Sequence, residues 1–356
     1  MRKLTKIQLT CVAMMATLCV GYAYAFNPSI YATNSKLSAG NWVKISIPES
    51  GIYEITYDEL MEMGFSNPAR VHIYGVGGNG INEKLNGNAS DDLKPVPILR
   101  TNDKICFYGN GPVSFTLSNY TTLPHYTRAL NPYSQVGCYL LTQDASADVT
   151  PTKKNVSPVS NYVSTPTSMN YFYHERELLS MASSGKDILG EGFARQSLKI
   201  DYYLPHLADS SVVVHSSIAA SVAQTSYAIA VLHSGGISDT LQYSEATSTI
   251  HMPLEYVFYN EVSPYESLKL SAPAERGQYE PLLKYTDATH PASLARLDYF
   301  ILTYKQNNVL ANMADNQMLM GFAATNGKER FELPGASSST VVWNITSTKL
   351  PMKITT

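Results

Sequence analysis

Short runs of alternating apolar and polar residues, separated by Gly, Pro, Asn and Ser, recur along this 356-residue chain. Period-two alternation puts every second side chain on one face and marks strands with a single buried face. The clearest run is Trp42 to Ile47, where Val43, Ile45 and Ile47 share a face. Pro48-Glu49-Ser50-Gly51 reads as a turn, proline presetting one dihedral and glycine free to take a positive φ. Ile52 to Ile55 then reads as the returning arm of a hairpin. Further runs lie at Arg70 to Tyr74, Val96 to Arg100, Ile105 to Tyr108, Cys138 to Thr142, Leu198 to Leu204 and Ser211 to Ile218. Others follow at Tyr227 to His233, Leu254 to Tyr259, Ser267 to Ser271, Leu297 to Tyr304 and Thr340 to Thr346. The pattern predicts a mainly β chain of two β-rich domains, the second a β-sandwich or jelly roll, with a few short helices. A charged fraction of only 15% and 25 tyrosines suit strands with polar outer faces.

Helix signals are sparse. Thr56 and Glu59 have the spacing of a capping box, with Leu60 and Met63 on the inner face and Gly64 placed to close the helix. Tyr173 to Met181 is a second helical candidate. Asp144 to Ser168 is rich in Ser, Thr, Pro and Asn and poor in large apolar residues, which predicts a linker or surface crossing. The expected organisation is a signal segment over 1–25, an N-terminal β-rich domain with a short helix over 26–145, a linker over 146–168 and a sandwich-like domain over 169–356. Leu350 to Thr356 are expected to fray.

The N-terminus carries Arg2, Lys3 and Lys6, an apolar run from Ile7 to Val20 and the small-x-small site Ala23-Tyr24-Ala25. That is the layout of a cleavable secretory signal, and it predicts export by the Sec route. The residues before Cys19 make a poor lipid-attachment motif. No later run approaches the roughly 20 apolar residues of a span, so no transmembrane segment is expected after cleavage. Export lets Cys106 and Cys138 pair, closing a loop of about 30 residues worth roughly 3–4 kcal/mol. Both also sit in strand-like runs where lone buried cysteines are common, and both readings stand.

Chemistry-bearing patterns are weak. A formal charge of −3 without a Lys/Arg stripe argues against nucleic acid. Gly75-Val76-Gly77-Gly78-Asn79-Gly80 follows a strand, but no helix opens after it to present aligned amides to a phosphate, so it reads as a loop. His174-Glu175-Arg176-Glu177 resembles the start of a zinc helix, but Leu178 stands where the second His is needed. His72, His125, His206, His215, His233, His251 and His290 are scattered singly. No Gly-x-Ser-x-Gly occurs, and neither cysteine has the electropositive surroundings a reactive thiolate needs. No catalytic, cofactor-binding or metal-binding residue is therefore assigned. A secreted binding module for a glycan or a partner protein is the alternative reading, motivated by the tyrosine-rich strands.

Four ordered segments carry a resemblance. The first is Gly40 to Leu60, continuing through Met63-Gly64-Phe65 and Val71-His72-Ile73-Tyr74-Gly75. The second is Asn131-Pro132-Tyr133-Ser134 with Tyr139-Leu140-Leu141-Thr142. The third joins Tyr173-His174-Glu175 to Ser184-Gly185-Lys186-Asp187 and Gly190-Glu191-Gly192-Phe193. The fourth is Leu297-Asp298-Tyr299-Phe300 with Val342-Trp343-Asn344-Ile345-Thr346. In this order they resemble the region upstream of the peptidase domain in type IX secretion system sortases, gingipain-like C25 cysteine peptidases of the Bacteroidota. The third segment departs from the family pattern at Lys186-Asp187-Ile188-Leu189, where an aromatic residue is usual. Nothing in the chain aligns with the peptidase domain, so the resemblance carries over no catalytic residue. It implies a non-catalytic β region. The partners it implies are other secretion components or the peptidase domain of the same polypeptide, and the location is the periplasm, outer membrane or surface of a Gram-negative cell.

Overall fold

The computed structural model describes residues 31–79, 91–118, 123–156, 160–180, 188–193, 198–220, 226–242, 249–251, 258–260, 265–285, 295–310, 316–323, 328–347 and 351–355. The signal segment with Cys19, the end of the glycine-rich loop, Ser184-Gly185-Lys186-Asp187 and His290 lie outside the described residues. The chain is mainly β, as expected. Among the described residues no helix is long and apolar enough to cross a membrane.

The first core forms between two antiparallel three-stranded sheets. Its elements are β1 (Trp42–Ile47), β2 (Gly51–Thr56), α1 (Tyr57–Glu62), β3 (Val71–Tyr74), β4 (Ile98–Arg100) and β5 (Lys104–Gly109). The hairpin β6 (Val113–Leu117) and β7 (Tyr126–Leu130) follows, then β8 (Gly137–Gln143). One sheet runs β1-β8-β3 and the other β2-β5-β4. Ile47, Ile55, Leu60, Val71, Ile73, Ile98, Ile105, Phe107, Tyr139 and Leu141 fill the space between them. The expected hairpin of β1 and β2 is not formed. β1 pairs with β8, Trp42 opposite Thr142, and β2 pairs with β5, Gly51 opposite Gly109. Residues 48–50 turn the chain from one sheet into the facing one, which is what two strands with apolar faces toward a common core require. The connection is fixed by Gly111, whose N–H donates to Ser50 Oγ at 2.9 Å. The capping box is present: Glu59 N–H donates to Thr56 Oγ1 and Thr56 N–H to Glu59 Oε2. Gly64 closes the helix at φ +96°.

The second core lies between two larger antiparallel sheets. In chain order the strands are β9 (Thr152–Asn155), β10 (Val163–Thr165), β11 (Thr167–Glu175), β12 (Leu179–Ser180), β13 (Ile188–Leu189), β14 (Gly192–Phe193) and β15 (Ile200–Tyr203). Then come β16 (Leu207–Ala220), β17 (Ser226–Ser234), β18 (Ile237–Gln242), β19 (Thr249–His251), β20 (Phe258–Asn260) and β21 (Glu266–Lys269). The last are β22 (Arg276–Tyr285), β23 (Ala295–Asn307), β24 (Glu329–Phe331), β25 (Val342–Asn344) and β26 (Met352–Thr355). One sheet runs β11-β23-β16-β21, with β14 added on β23, and the facing sheet runs β15-β22-β17-β18. Val212, Val214, Leu232, Phe300, Leu302 and Tyr304 pack between them. Tyr279 stacks on Phe300 at 3.9 Å and donates its hydroxyl to Ser216 Oγ at 2.7 Å, so its one polar atom is satisfied inside the core.

Two further expectations change. Tyr173 to Glu175 are strand, not helix, and Leu179–Ser180 pair with β13. β11 pairs with β23 along its whole length, from Thr167 opposite Asn307 to Glu175 opposite Tyr299. This ladder decides against the helical spacing. The stretch read as a linker or surface crossing carries the largely exposed strands β9 and β10, which pair in parallel with β26 and β24. The tail is not frayed, because Met352–Thr355 bridges β25 and β9.

Candidate functional site

The β11-β23-β16-β21 sheet is covered on both faces. Its inner face meets the second core. Its outer face receives the β6–β7 hairpin, which comes from the first half of the sequence. Alternation makes this possible: Tyr171, Tyr173 and Glu175 point to the outer face and Phe172 and His174 to the other. Phe115 stacks on Tyr171 at 4.2 Å and meets Tyr173 edge-on at 4.9 Å. Tyr126 packs on Tyr171 at 4.7 Å, and its N–H donates to Thr303 Oγ1 at 3.0 Å. Burial pushes the Tyr126 and Tyr171 hydroxyls well above the usual phenol range. Beside them Tyr265 lies between two imidazoles, 3.7 Å from His125 and 4.1 Å from His215. His215 Nε2 in turn lies 2.8 Å from the Tyr299 hydroxyl.

Arg128 of β7 is the charged centre of this junction. Its guanidinium lies 3.8 Å above the Tyr299 ring, 2.9 Å from Glu175 Oε1 and 3.4 Å from Asp298 Oδ2. The Arg128 and Glu175 side chains are 13% and 6% exposed, so both are largely out of water. Burial pushes the Glu175 carboxyl up to about 8. Arg128 opposes the shift, and the negative charges of Asp298 and Glu177 add to it. The Arg128 guanidinium thus reaches the carboxyls of both Glu175 and Asp298.

The third and fourth sequence segments meet here. His174 Nε2 lies 3.1 Å from Glu191 Oε1, and Arg176 Nη1 lies 3.5 Å from the same oxygen. Gly190 N–H donates to Leu297 O at 2.8 Å, and Leu297 N–H donates to Glu191 O at 2.9 Å. A Cβ on Gly190 would come within 2.9 Å of the carbonyl oxygens of Arg176 and Leu297, so this crossing needs glycine. His174 and Glu175, singled out as a failed zinc motif, thus serve two separate ion clusters on opposite faces of one strand. Among the described residues no group of three or more His, Cys, Asp or Glu is arranged to hold a metal. Arg128 and the hairpin that carries it were missed in the sequence, although Phe115-Thr116-Leu117 and Tyr126-Thr127-Arg128 do alternate.

The other polar clusters are accounted for structurally. His72 lies 3.5 Å from Asp144 and 3.2 Å from Asp148, and Arg100 grips both oxygens of Asp148 at 2.8 Å. The Arg100 hydrogen bonds hold the Asp148 carboxyl below the usual carboxylate range. Together these contacts tie residues 144–148 to the first core. On the outer face of the other large sheet, Ser238 Oγ lies 2.7 Å from His233 Nδ1, and His233 Nε2 lies 2.5 Å from Glu280. The order of groups is that of a hydrolase triad. Ser238 and His233 are, however, directly opposed residues of a ladder on which Ser238 is exposed to solvent, with Lys199 as the next group, 4.0 Å from Glu280. Cys106 and Cys138 are both free thiols, on strands of different sheets. Burial, reinforced by Glu54, raises the Cys106 thiol to about 11, the opposite of what a nucleophile needs.

These features define a multi-sheet β scaffold with a charged junction between its parts. No family model matches the chain, and no curated protein does. Among solved structures, the crystal structure of dimeric latent PorU from Porphyromonas gingivalis matches with a TM-score of 0.73 and 24% identity. That match covers 91% of this chain and 30% of PorU, so the chain has the fold of a part of PorU and spans about a third of its length. The infectious bursal disease virus VP2 subviral particle, at 11% identity, 79% of this chain and 76% of that chain, reaches only TM-score 0.24. The insecticidal delta-endotoxin Cry8Ea1 of Bacillus thuringiensis, at 10% identity, 67% of this chain and 42% of that chain, also reaches only 0.24. Neither carries an argument.

Proposed function

We propose that this chain is a non-catalytic β-domain region of a type IX secretion system sortase-like protein, acting as a scaffold and docking surface rather than as the source of chemistry. The observation that carries the reading is the likeness of fold to PorU along 91% of the chain. It is supported by a Cys106 thiol whose environment disfavours the thiolate. In this reading the chain is exported by the Sec route and works in the periplasm, outer membrane or cell surface. Its partners are other type IX components or a peptidase domain of the same polypeptide. The units 26–145 and 169–356 act as two parts joined at the Arg128 junction.

The test is genetic. Deleting the gene in its own bacterium is expected to leave exported cargo with its C-terminal sorting domains attached. Restoring the gene with Cys106→Ala and Cys138→Ala together is expected to restore processing. Normal processing after deletion overturns the reading. Failure of the cysteine-free gene, with the protein present at normal level, assigns a catalytic thiol to this chain instead.

A further inference from the structure

Residues 317–321 run between the two cores and hold an edge strand of each, β2 in the first and β11 in the second. At one end Met169 N–H donates to Gly321 O at 2.8 Å and Gly321 N–H donates to Met169 O at 2.9 Å. The buried amide of Gln306 donates to Leu319 O at 2.6 Å. A Cβ on Gly321 would run into the Tyr126 hydroxyl, so glycine lets the chain pass against the β6–β7 hairpin. At the other end the Gln317 side chain grips one residue of β2. Ile52 N–H donates to Gln317 Oε1 at 2.9 Å, and Gln317 Nε2 donates to Ile52 O at 2.8 Å. A side-chain amide carries the donor and acceptor of a peptide unit. Gln317 therefore stands in for one residue of a neighbouring strand, on an edge that no strand among the described residues covers.

We propose that residues 317–321 are a strap that sets the arrangement of the two cores, fixed at Gly321 and releasable at Gln317. The two ends are unequal. The Gly321 end is held by a backbone pair and by the buried Gln306. The Gln317 end is exposed, and both of its bonds come from one side chain in competition with water. Four extended residues span at most about 14 Å, so a bound Gln317 keeps β2 close to the edge of β11. Once Gln317 lets go that limit is gone, and the first core can pivot about the β6–β7 hairpin. All groups bonded along the strap are neutral, so its hold is insensitive to salt, unlike the ion contacts of Arg128.

The β2 ladder supplies its own reporter. In an antiparallel pair, successive residues turn their backbone groups alternately toward and away from the partner strand. Ile52 turns its N–H and C=O to Gln317, so Tyr53 turns its own toward β5, where it lies opposite Phe107. Exchange of the Ile52 amide therefore reads the strap, and exchange of the Tyr53 amide reads the sheet itself.

The test combines amide exchange with a distance measurement on the full chain at neutral pH. Spin labels are placed at Met61→Cys and Ile237→Cys, both exposed positions, in a chain carrying Cys106→Ala and Cys138→Ala. The expected result is a protected Ile52 amide and one narrow label distance. Gln317→Ala should raise Ile52 exchange by about tenfold or more and broaden the distance, equally at low and high salt, with the Tyr53 and Leu232 amides unchanged. Gln317→Glu keeps the acceptor for Ile52 N–H but loses the donor to Ile52 O, and should broaden the distance less; it decides the matter by the same readouts if the alanine variant disturbs the reference amides. Unchanged Ile52 exchange in Gln317→Ala overturns the strap. So does faster Ile52 exchange with the narrow distance kept.

Discussion

The first core and the hairpin junction solve the same problem, burying one surface against another, with different materials. In the first core Leu60, Val71, Ile73, Ile105, Phe107 and Leu141 are fully enclosed, and none carries a polar atom that needs a partner. Each such side chain contributes roughly 1.5–3 kcal/mol on burial. Tyr139, buried in the same cluster, accepts at its hydroxyl from Asn110 N–H at 2.9 Å. Under the hairpin the contacts are rings with polar edges and the ion cluster around Arg128. A core of the first kind is indifferent to pH and salt. A junction of the second kind is directional, because aromatic stacking and one guanidinium fix where the hairpin sits. The chain therefore separates what keeps each part folded from what holds the parts together.

Breaking the junction is expected to have the largest effect. Arg128→Ala strands Glu175 and Asp298 without their cation, and truncating one partner of a buried charge group costs about 3–5 kcal/mol. The loss should fall on hairpin docking, read as exchange of β6 and β7 amides, with β8 protection kept. Breaking the core instead, Leu141→Ala should cost about 2–5 kcal/mol. Its lowered urea midpoint should be shifted about equally at pH 6 and pH 8.5, since Leu141 packs within an apolar cluster.

The two ionic clusters sharpen the contrast because their signs are opposite. The Asp148 carboxyl is held low by Arg100, so its contribution is complete above the ordinary Asp value and disappears as pH falls through the lowered one. Glu175 works the other way, its contribution fading as pH rises toward about 8. Asp148→Asn should therefore reduce the sensitivity of the first core to acid and leave the hairpin's response to base unchanged, in paired pH titrations of core fluorescence and hairpin exchange. The smallest effect expected is that of Thr56→Ala, which removes the helix cap and should cost about 1 kcal/mol in urea unfolding at any neutral pH.

The strands of the first core were legible because short apolar runs bounded by turn residues are a local signal. The Thr56–Glu59 cap could be read residue by residue for the same reason. Pairing was not legible: Val43, Ile45 and Ile47 show which face is buried, but not that β8, about a hundred residues away, is the partner. The helical reading of Tyr173 to Met181 failed because a nine-residue strand flanked by polar residues can mimic helical spacing, and only the ladder with β23 decides. The junction was half visible. His174, Glu175, Glu191 and Asp298 stood in the segments that drew attention, but their convergence depends on the β14–β23 and β11–β23 registers. Arg128 sits in a run too polar to mark as a strand.

The most direct test is the ionisation of Glu175 itself, measured as the side-chain carboxyl carbon shift of specifically labelled Glu175 across pH 4 to 10 in the full chain. The account predicts a midpoint near 8 in the unmodified chain, falling toward the ordinary glutamate value in a variant whose hairpin is undocked by Phe115→Ala and Tyr126→Ala. A midpoint at the ordinary glutamate value in the intact chain would contradict it.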